Sequence, residues 1–248
     1  MKVAIRTIAA AAVMAALAGN AFGETFPGSI SRQPLVAKPV SDRLTVGVGY
    51  DKLERGIEFD TLPDAVLEAD TISGYAGYDV LPWLTAFVTV GGTKVEGDEG
   101  IGTDYGIKLS GGLSAYLWEG DVLVPAFMAG RLSIKVMGEV SRFESDTDIG
   151  TVEWVDVMVA LPVGYEKFDR YPTSASGLQT SLALYAGPAF SYMSGKADTV
   201  FGNVDFDASQ RFGVVAGADV YFSPSVSIGA KLIAFDELSY GASARFHF

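Results

Sequence analysis

The stretch SYGASARFHF, Ser239 to Phe248, closes the chain and alternates without a break. Tyr240, Ala242, Ala244, Phe246 and Phe248 fall on one face of a strand, and Ser239, Gly241, Ser243, Arg245 and His247 on the other. Successive side chains of a strand point to opposite faces, so this is a sheet element with one apolar and one polar side. It ends on an aromatic residue.

The same period of two recurs upstream in segments of roughly ten residues, the weak per-segment signature of a membrane-spanning sheet. The pattern predicts strands near 43–53, 70–80, 84–94, 104–117, 122–138, 151–165, 177–193, 205–222, 226–235 and 239–248. An even count of ten places both ends on one side; eight or twelve remain open. Tight connections are expected at 81–83, at Trp118-Glu119-Gly120-Asp121 and at 223–225. Longer loops rich in Asp, Glu and Gly are expected at 54–69, 95–103, 139–150 and 194–204. The 166–176 connection is long for the side that carries the tight turns, and the loop near Asp236-Glu237 is short for the other side.

A closing strand of this kind, after such a series, resembles the last strand of bacterial outer-membrane β-barrels over roughly residues 42–248. The resemblance is to the general class of small OmpA/OmpX-like or porin-like barrels. It implies an all-β fold, a single antiparallel transmembrane barrel with short periplasmic turns and longer outside loops. It also implies that Tyr240, Phe246 and Phe248 form the signal read by the outer-membrane assembly machinery.

Alternation alone does not separate a membrane barrel from a soluble one, whose apolar face points inward. The charges decide. Asp51, Asp79, Lys108, Arg131, Lys135, Asp156, Arg211, Asp219, Lys231 and Arg245 all fall in the polar phase, a set suited to a lumen where each ion finds a partner. Aromatics of the apolar phase sit at strand ends. Tyr78, Tyr165, Phe222 and Phe248 lie by the turns, and Tyr50, Tyr105, Phe190, Tyr192, Phe206 and Tyr240 by the loops. Two such belts suit the two interfaces of a bilayer. The expected surroundings are therefore outer-membrane lipid.

Before the barrel, Lys2 and Arg6, the apolar run Ile8 to Ala18 and the small residues of Ala21-Phe22-Gly23 read as a signal peptide, residues 1–23. A spanning helix would need about 20 apolar residues. Residues 24–41, with Pro27, Pro34 and Pro39, read as a flexible periplasmic segment. Without residues 1–23 the chain carries 18 − 2 = 16 basic and 30 acidic groups, a net charge of −14. So acidic a chain is a poor partner for nucleic acid. With no cysteine, it has no disulfide, thiol nucleophile or thiolate site.

Omptin proteases, phospholipases and lipid A acyl-modifying barrels use a His near the outer rim or membrane face. The one histidine here, His247, belongs to the closing strand at the opposite end. The acids of Glu144-Ser145-Asp146-Thr147-Asp148 lack the full ligand pattern of a calcium loop, and Asp205-Phe206-Asp207 is weaker still. No catalytic, cofactor or metal residues are expected, and no enzyme. The expected function is a non-catalytic barrel that presents acidic loops outside the cell for envelope structure, adhesion or contact with an unknown extracellular ligand. The alternative is a narrow passive channel for ions or small solutes. About eight strands leave room only for side chains and porin channels need about sixteen, so ten favours a filled bore.

Overall fold

The computed structural model describes residues 43–59, 63–96, 103–122, 130–147, 150–167, 181–199, 202–223 and 225–248. The expected signal peptide and the 24–41 segment lie outside these residues. Thirteen strands are present: β1 (Leu44–Phe59), β2 (Ala65–Leu81), β3 (Leu84–Val95), β4 (Thr103–Asp104), β5 (Gly106–Val122), β6 (Gly130–Thr147), β7 (Gly150–Ala160), β8 (Val163–Lys167), β9 (Ser181–Thr199), β10 (Gly202–Ala208), β11 (Phe212–Ser223), β12 (Val226–Ala234) and β13 (Leu238–His247).

Three pairs share a stave. β4 and β5 both pair with β6, β7 and β8 both lie between β6 and β9, and β10 and β11 both pair with β9. Each stave is antiparallel to the next, and β13 returns to β1, from Thr45↔His247 to Lys52↔Tyr240. The wall is a closed ten-stranded barrel. Closure gives the backbone its hydrogen bonds internally, which a sheet surrounded by lipid requires.

The apolar phase faces out. Leu109, Val157 and Leu184, mid-strand residues that a soluble barrel would bury, are 55%, 37% and 47% exposed. Around them Val48, Ile72, Val88, Val214 and Ile228 continue the band. On β7 and β8 it runs from Glu153 to Tyr165, a rise of 165 − 153 = 12 residues. At ~3.3 Å per residue and a tilt near 40° this spans about 30 Å, close to a bilayer's hydrocarbon core. The short turns at Leu81–Leu84 and Ser223–Val226 share one end with both ends of the barrel. By the rule of such barrels this end is periplasmic.

The opposite end departs from the expected loops. β1 continues to Phe59, β6 to Thr147 and β9 to Thr199, so most of the segments expected as loops at 54–69, 139–150 and 194–204 are strand. The alternation persists there, but its polarity reverses. Lys52, Glu54 and Glu58 face outward, while Leu53, Ile57 and Phe59 face inward. The wall leaves the membrane and becomes a soluble-type barrel, with charge outside and an apolar interior.

That extension also narrows. β12 and β13 end at Ala234 and Leu238, well below their neighbours. Above their hairpin β10 reaches across to β1, pairing Ile57↔Ala208, Glu58↔Asp207 and Phe59↔Phe206. The short loop at Asp236-Glu237 thus lies beneath this bridge. Ten staves less the two of the hairpin leave eight, a number whose interior side chains can fill. Ile57, Leu67, Ala69, Trp154, Met193, Phe206 and Ala208 fill it, and Trp154 stacks on Phe143 at 4.7 Å.

Three further expectations are corrected. The tight turn at 118–121 is absent: those residues belong to β5, where a bulge between Tyr116 and Trp118 shifts the alternation by one residue, so that Leu117 and Trp118 both face the lipid. The strand expected at 122–138 runs instead from Gly130 to Thr147. Phe206, expected in the outer aromatic belt, is 3% exposed inside the extension, because the polarity has already reversed at its level.

Candidate functional site

The lumen combines ions with apolar clusters. Thr and Ser line the wall at Thr71, Ser73, Thr89, Thr93, Ser110 and Ser243, all buried. Among them Asp51 accepts two cations, Lys231 at 3.0 Å and Lys108 at 3.8 Å. β1 supplies the acid, β5 and β12 the bases. Gly241 stands between, where a β-carbon would collide with the Asp51 carboxylate. Glycine at this register position lets the ion pair lie against the wall.

The remaining residues of the expected network have contacts of their own, and Asp156 also lies in the field of Lys108. Asp156 accepts from Ser191 Oγ at 2.5 Å, and Asp79 accepts from Thr85 Oγ1 at 2.6 Å. Arg245 is 4% exposed with its guanidinium 5.4 Å from the Tyr75 ring, and Asp219 is 6% exposed. Near the periplasmic end, Arg131 pairs with Asp121 at 3.1 Å and the Lys135 ammonium lies 4.5 Å from the Tyr116 ring. Arg211 is a correction. It is exposed, and its guanidinium lies 5.0 Å from the lipid-facing ring of Tyr192. The irregular residues between β10 and β11 shift the alternation there, so its phase turns outward. The expected charges other than Arg211 are thus spread along the lumen in several small groups.

The sequence pattern did not single out the apolar residues between them. Tyr75, Phe87, Met137, Met158, Ala160, Ala189 and Val215 form one buried cluster in the membrane-spanning part, and Tyr185, Ile233 and Phe235 pack against it. Tyr75 and Phe87 stack at 6.0 Å across β2 and β3. The cluster of the extension fills the bore above. The available signal was the size of these side chains in the polar phase of the alternation.

Arg55 ties the extension to the hairpin. It is 2% exposed, lies 3.8 Å from the Phe235 ring, and donates to the Gln210 carbonyl at 2.8 Å and to Ser191 Oγ at 3.3 Å. Asp236 lies 3.8 Å from it and also accepts from Ser209.

The outer surface of the extension is an acidic collar with a few bases. Lys52 bonds Glu96 and lies 3.8 Å from Glu68. The Lys52 hydrogen bond holds the Glu96 carboxyl below its ordinary value. On β7, Glu153 accepts from Lys196 at 2.7 Å and Arg142 at 3.1 Å, and the Lys196 hydrogen bond likewise depresses its carboxyl. Among the described residues no three His, Cys, Asp or Glu side chains are placed to hold a metal ion. Glu144 and Asp146 lie in β6, and Asp148 lies outside the described residues.

His247 is buried at the periplasmic end. Its Nδ1 lies 3.2 Å from Thr45 Oγ1, its Nε2 lies 2.9 Å from Ser227 Oγ, and its ring stacks on Tyr221. Phe246 and Phe248 face the lipid, 44% and 52% exposed, and the Phe248 amide donates to the Leu44 carbonyl at 3.0 Å. Tyr240 is half-buried across from Lys52.

A closed antiparallel wall with an apolar exterior between two aromatic belts defines a bacterial outer-membrane β-barrel. No family model matches the chain, and no curated protein matches it. Among solved structures it is similar to the outer membrane protease OmpT from Escherichia coli, at 11% identity and a TM-score of 0.42, covering 86% of this chain and 99% of that one. It is also similar to the COG4313 outer membrane channel from Pseudomonas putida F1, at 13% identity and a TM-score of 0.35, covering 91% and 100%. The outer membrane protein Omp33 from Acinetobacter baumannii matches at 11% identity and a TM-score of 0.25, covering 85% and 100%.

Proposed function

We propose that this chain is a non-catalytic barrel, closed to solutes along its axis, that holds an acidic collar outside the cell. The collar would serve envelope structure, adhesion or contact with an extracellular ligand. The observation that carries this reading is the apolar filling of the bore. Water and ions cross an apolar constriction poorly, because nothing in it replaces their hydration. Phe87, Met137 and Met158, at 5%, 3% and 9% exposure, leave little open path in the membrane-spanning part. The collar is the surface left for contact, with Glu58, Glu68, Glu96, Asp205 and Asp207 among its outward acids.

Planar-bilayer recording tests the reading. The wild-type protein should give no steady conductance, and one should open only when both apolar clusters are emptied, by changing Phe87, Met137 and Met158 to Ala together with Trp154→Ala. A steady wild-type current that falls on changing Lys108 would establish a narrow channel instead. The assembly role of Tyr240, Phe246 and Phe248 has its own test: removing Phe248 should slow insertion in cells while a refolded barrel keeps its stability.

A further inference from the structure

The outer wall has a shoulder where ten staves become eight. There β10, paired with β9 over residues 202–207, also takes up β1 over 206–208. A groove of ≈ 510 Å³ lies against the outward side chains of the three strands, Glu58, Tyr192, Ser194, Asp205 and Asp207. The register puts Glu58 directly opposite Asp207, and Asp207 opposite Ser194. Like charges facing each other across a ladder repel. Both acids are exposed, and among the described residues neither has a hydrogen bond or an ion pair.

The foot of the groove is cationic and adjoins the lipid. The exposed Arg211 guanidinium lies 5.0 Å from the Tyr192 ring and has no ion-pair partner among the described residues. Below it Phe190 and Phe212, 37% and 71% exposed, belong to the lipid-facing band, with their rings 5.2 Å apart. Tyr192 and Ser194 are two residues apart on β9, about 7 Å along the strand. Rising from the lipid, the shoulder therefore presents apolar rings, then one cation, then two acids with no base between them. A zwitterionic phospholipid presents the complement in the same order: acyl chains, a phosphate, then an ammonium on a two-carbon linker. A purely anionic headgroup would meet the acids, and an amine without a phosphate would leave Arg211 unmatched.

We propose that this shoulder docks the headgroup of an aminophospholipid of the outer leaflet, with its phosphate on Arg211 and its ammonium between Glu58 and Asp207. A guanidinium can hold a phosphate by two parallel hydrogen bonds. The contact is on the surface: the acyl chains stay in the bilayer against Phe190 and Phe212, and the wall stays closed. The proposal rests on the reading of the acidic collar as a contact surface outside the membrane, to one sector of which it gives a ligand, and not on the closed bore.

The test is native mass spectrometry of the full barrel in detergent with one lipid added at a time. The probes are phosphatidylethanolamine, its N-acetyl derivative, which keeps the phosphate and loses the cation, and phosphatidylglycerol. Phosphatidylethanolamine should be retained roughly tenfold better than either of the others, the gain expected for one charge-assisted bond. Arg211→Gln should lower its retention by a similar factor. Glu58→Gln with Asp207→Asn should remove the preference over the N-acetyl lipid. Arg142→Gln, at an exposed base that does not line the groove, should change nothing. Equal retention of the three lipids by the wild type, or retention indifferent to Arg211→Gln, overturns the docking site. Free phosphoethanolamine at the same concentration should leave the lipid in place; displacement would show a site for the soluble headgroup and overturn the lipid assignment. Conductance is not read in this experiment, so its failure is distinct from failure of the closed-bore reading.

Discussion

Val159 and Thr151 lie on the same outward face of β7, and the account assigns them different solvents. Val159 is 44% exposed and lies midway between Glu153 and Tyr165, six residues from each by 159 − 153 and 165 − 159. At ~3.3 Å per residue and the usual tilt, it sits about 15 Å below the outer interface, near the bilayer midplane. Val159→Arg should therefore destabilise the barrel by about 2–4 kcal/mol. That is roughly thirtyfold to several-hundredfold in the folding equilibrium. Thr151, two residues above Glu153, faces water and bonds Asp146 at 2.9 Å. Thr151→Arg should cost no more than about 0.5 kcal/mol. The assay is reversible guanidinium unfolding from phospholipid vesicles, followed by tryptophan fluorescence. Equal costs at the two positions, or a larger cost at Thr151, would refute the placement of the membrane boundary between them.

Other consequences can be checked on the same protein. Asp51→Asn leaves the Lys108 and Lys231 ammonium groups together in the lumen without their acid and should cost about 3–5 kcal/mol; Asp51→Asn with Lys231→Met should recover part of this in the same unfolding assay. Trp154→Ala empties the centre of the extension and should cost about 3–5 kcal/mol; limited proteolysis should then cut near β7 and β9 while the membrane-spanning part stays protected. Glu153 has a depressed carboxyl, so its contribution is present above the ordinary glutamate range and disappears as pH falls through the depressed value. Wild type should melt above Glu153→Gln at neutral pH, and the gap should close in acid; a constant gap would show that the Lys196 bond is not its source.

The membrane-spanning strands were legible because their outward face is uniformly apolar, as at Leu109 and Leu113 or Ile228 and Ala230. The closing strand was plainest, since β13 holds its alternation to the last residue. The extension was not legible as strand. From Lys52 onward the outward phase turns charged, which by composition looks like loop, although Leu53, Ile57 and Phe59 keep the period in the opposite phase. Phe206 was misplaced for the same reason. Arg211 was misplaced because the irregular residues after β10 break the phase count, and Trp118 because Trp-Glu-Gly-Asp carries turn chemistry that the bulged strand overrides. The lumen charges were recognisable by phase, but their grouping was not. Which cation reaches Asp51 depends on the register across β13, where Asp51, Gly241 and Lys231 share a row. The bridge from β10 to β1 follows from the early end of one hairpin and has no local sequence signature.

The reversal of polarity along single strands is best tested by nitroxide scanning of β7. The chain has no native cysteine, so each site from 150 to 160 can be labelled singly. Labels at 155, 157 and 159 should respond to oxygen, those at 151 and 153 to a water-soluble nickel chelate, and those at 152, 154, 156 and 158 to neither. Oxygen contact at 152 and 154, or oxygen rather than nickel contact at 151 and 153, would contradict the account.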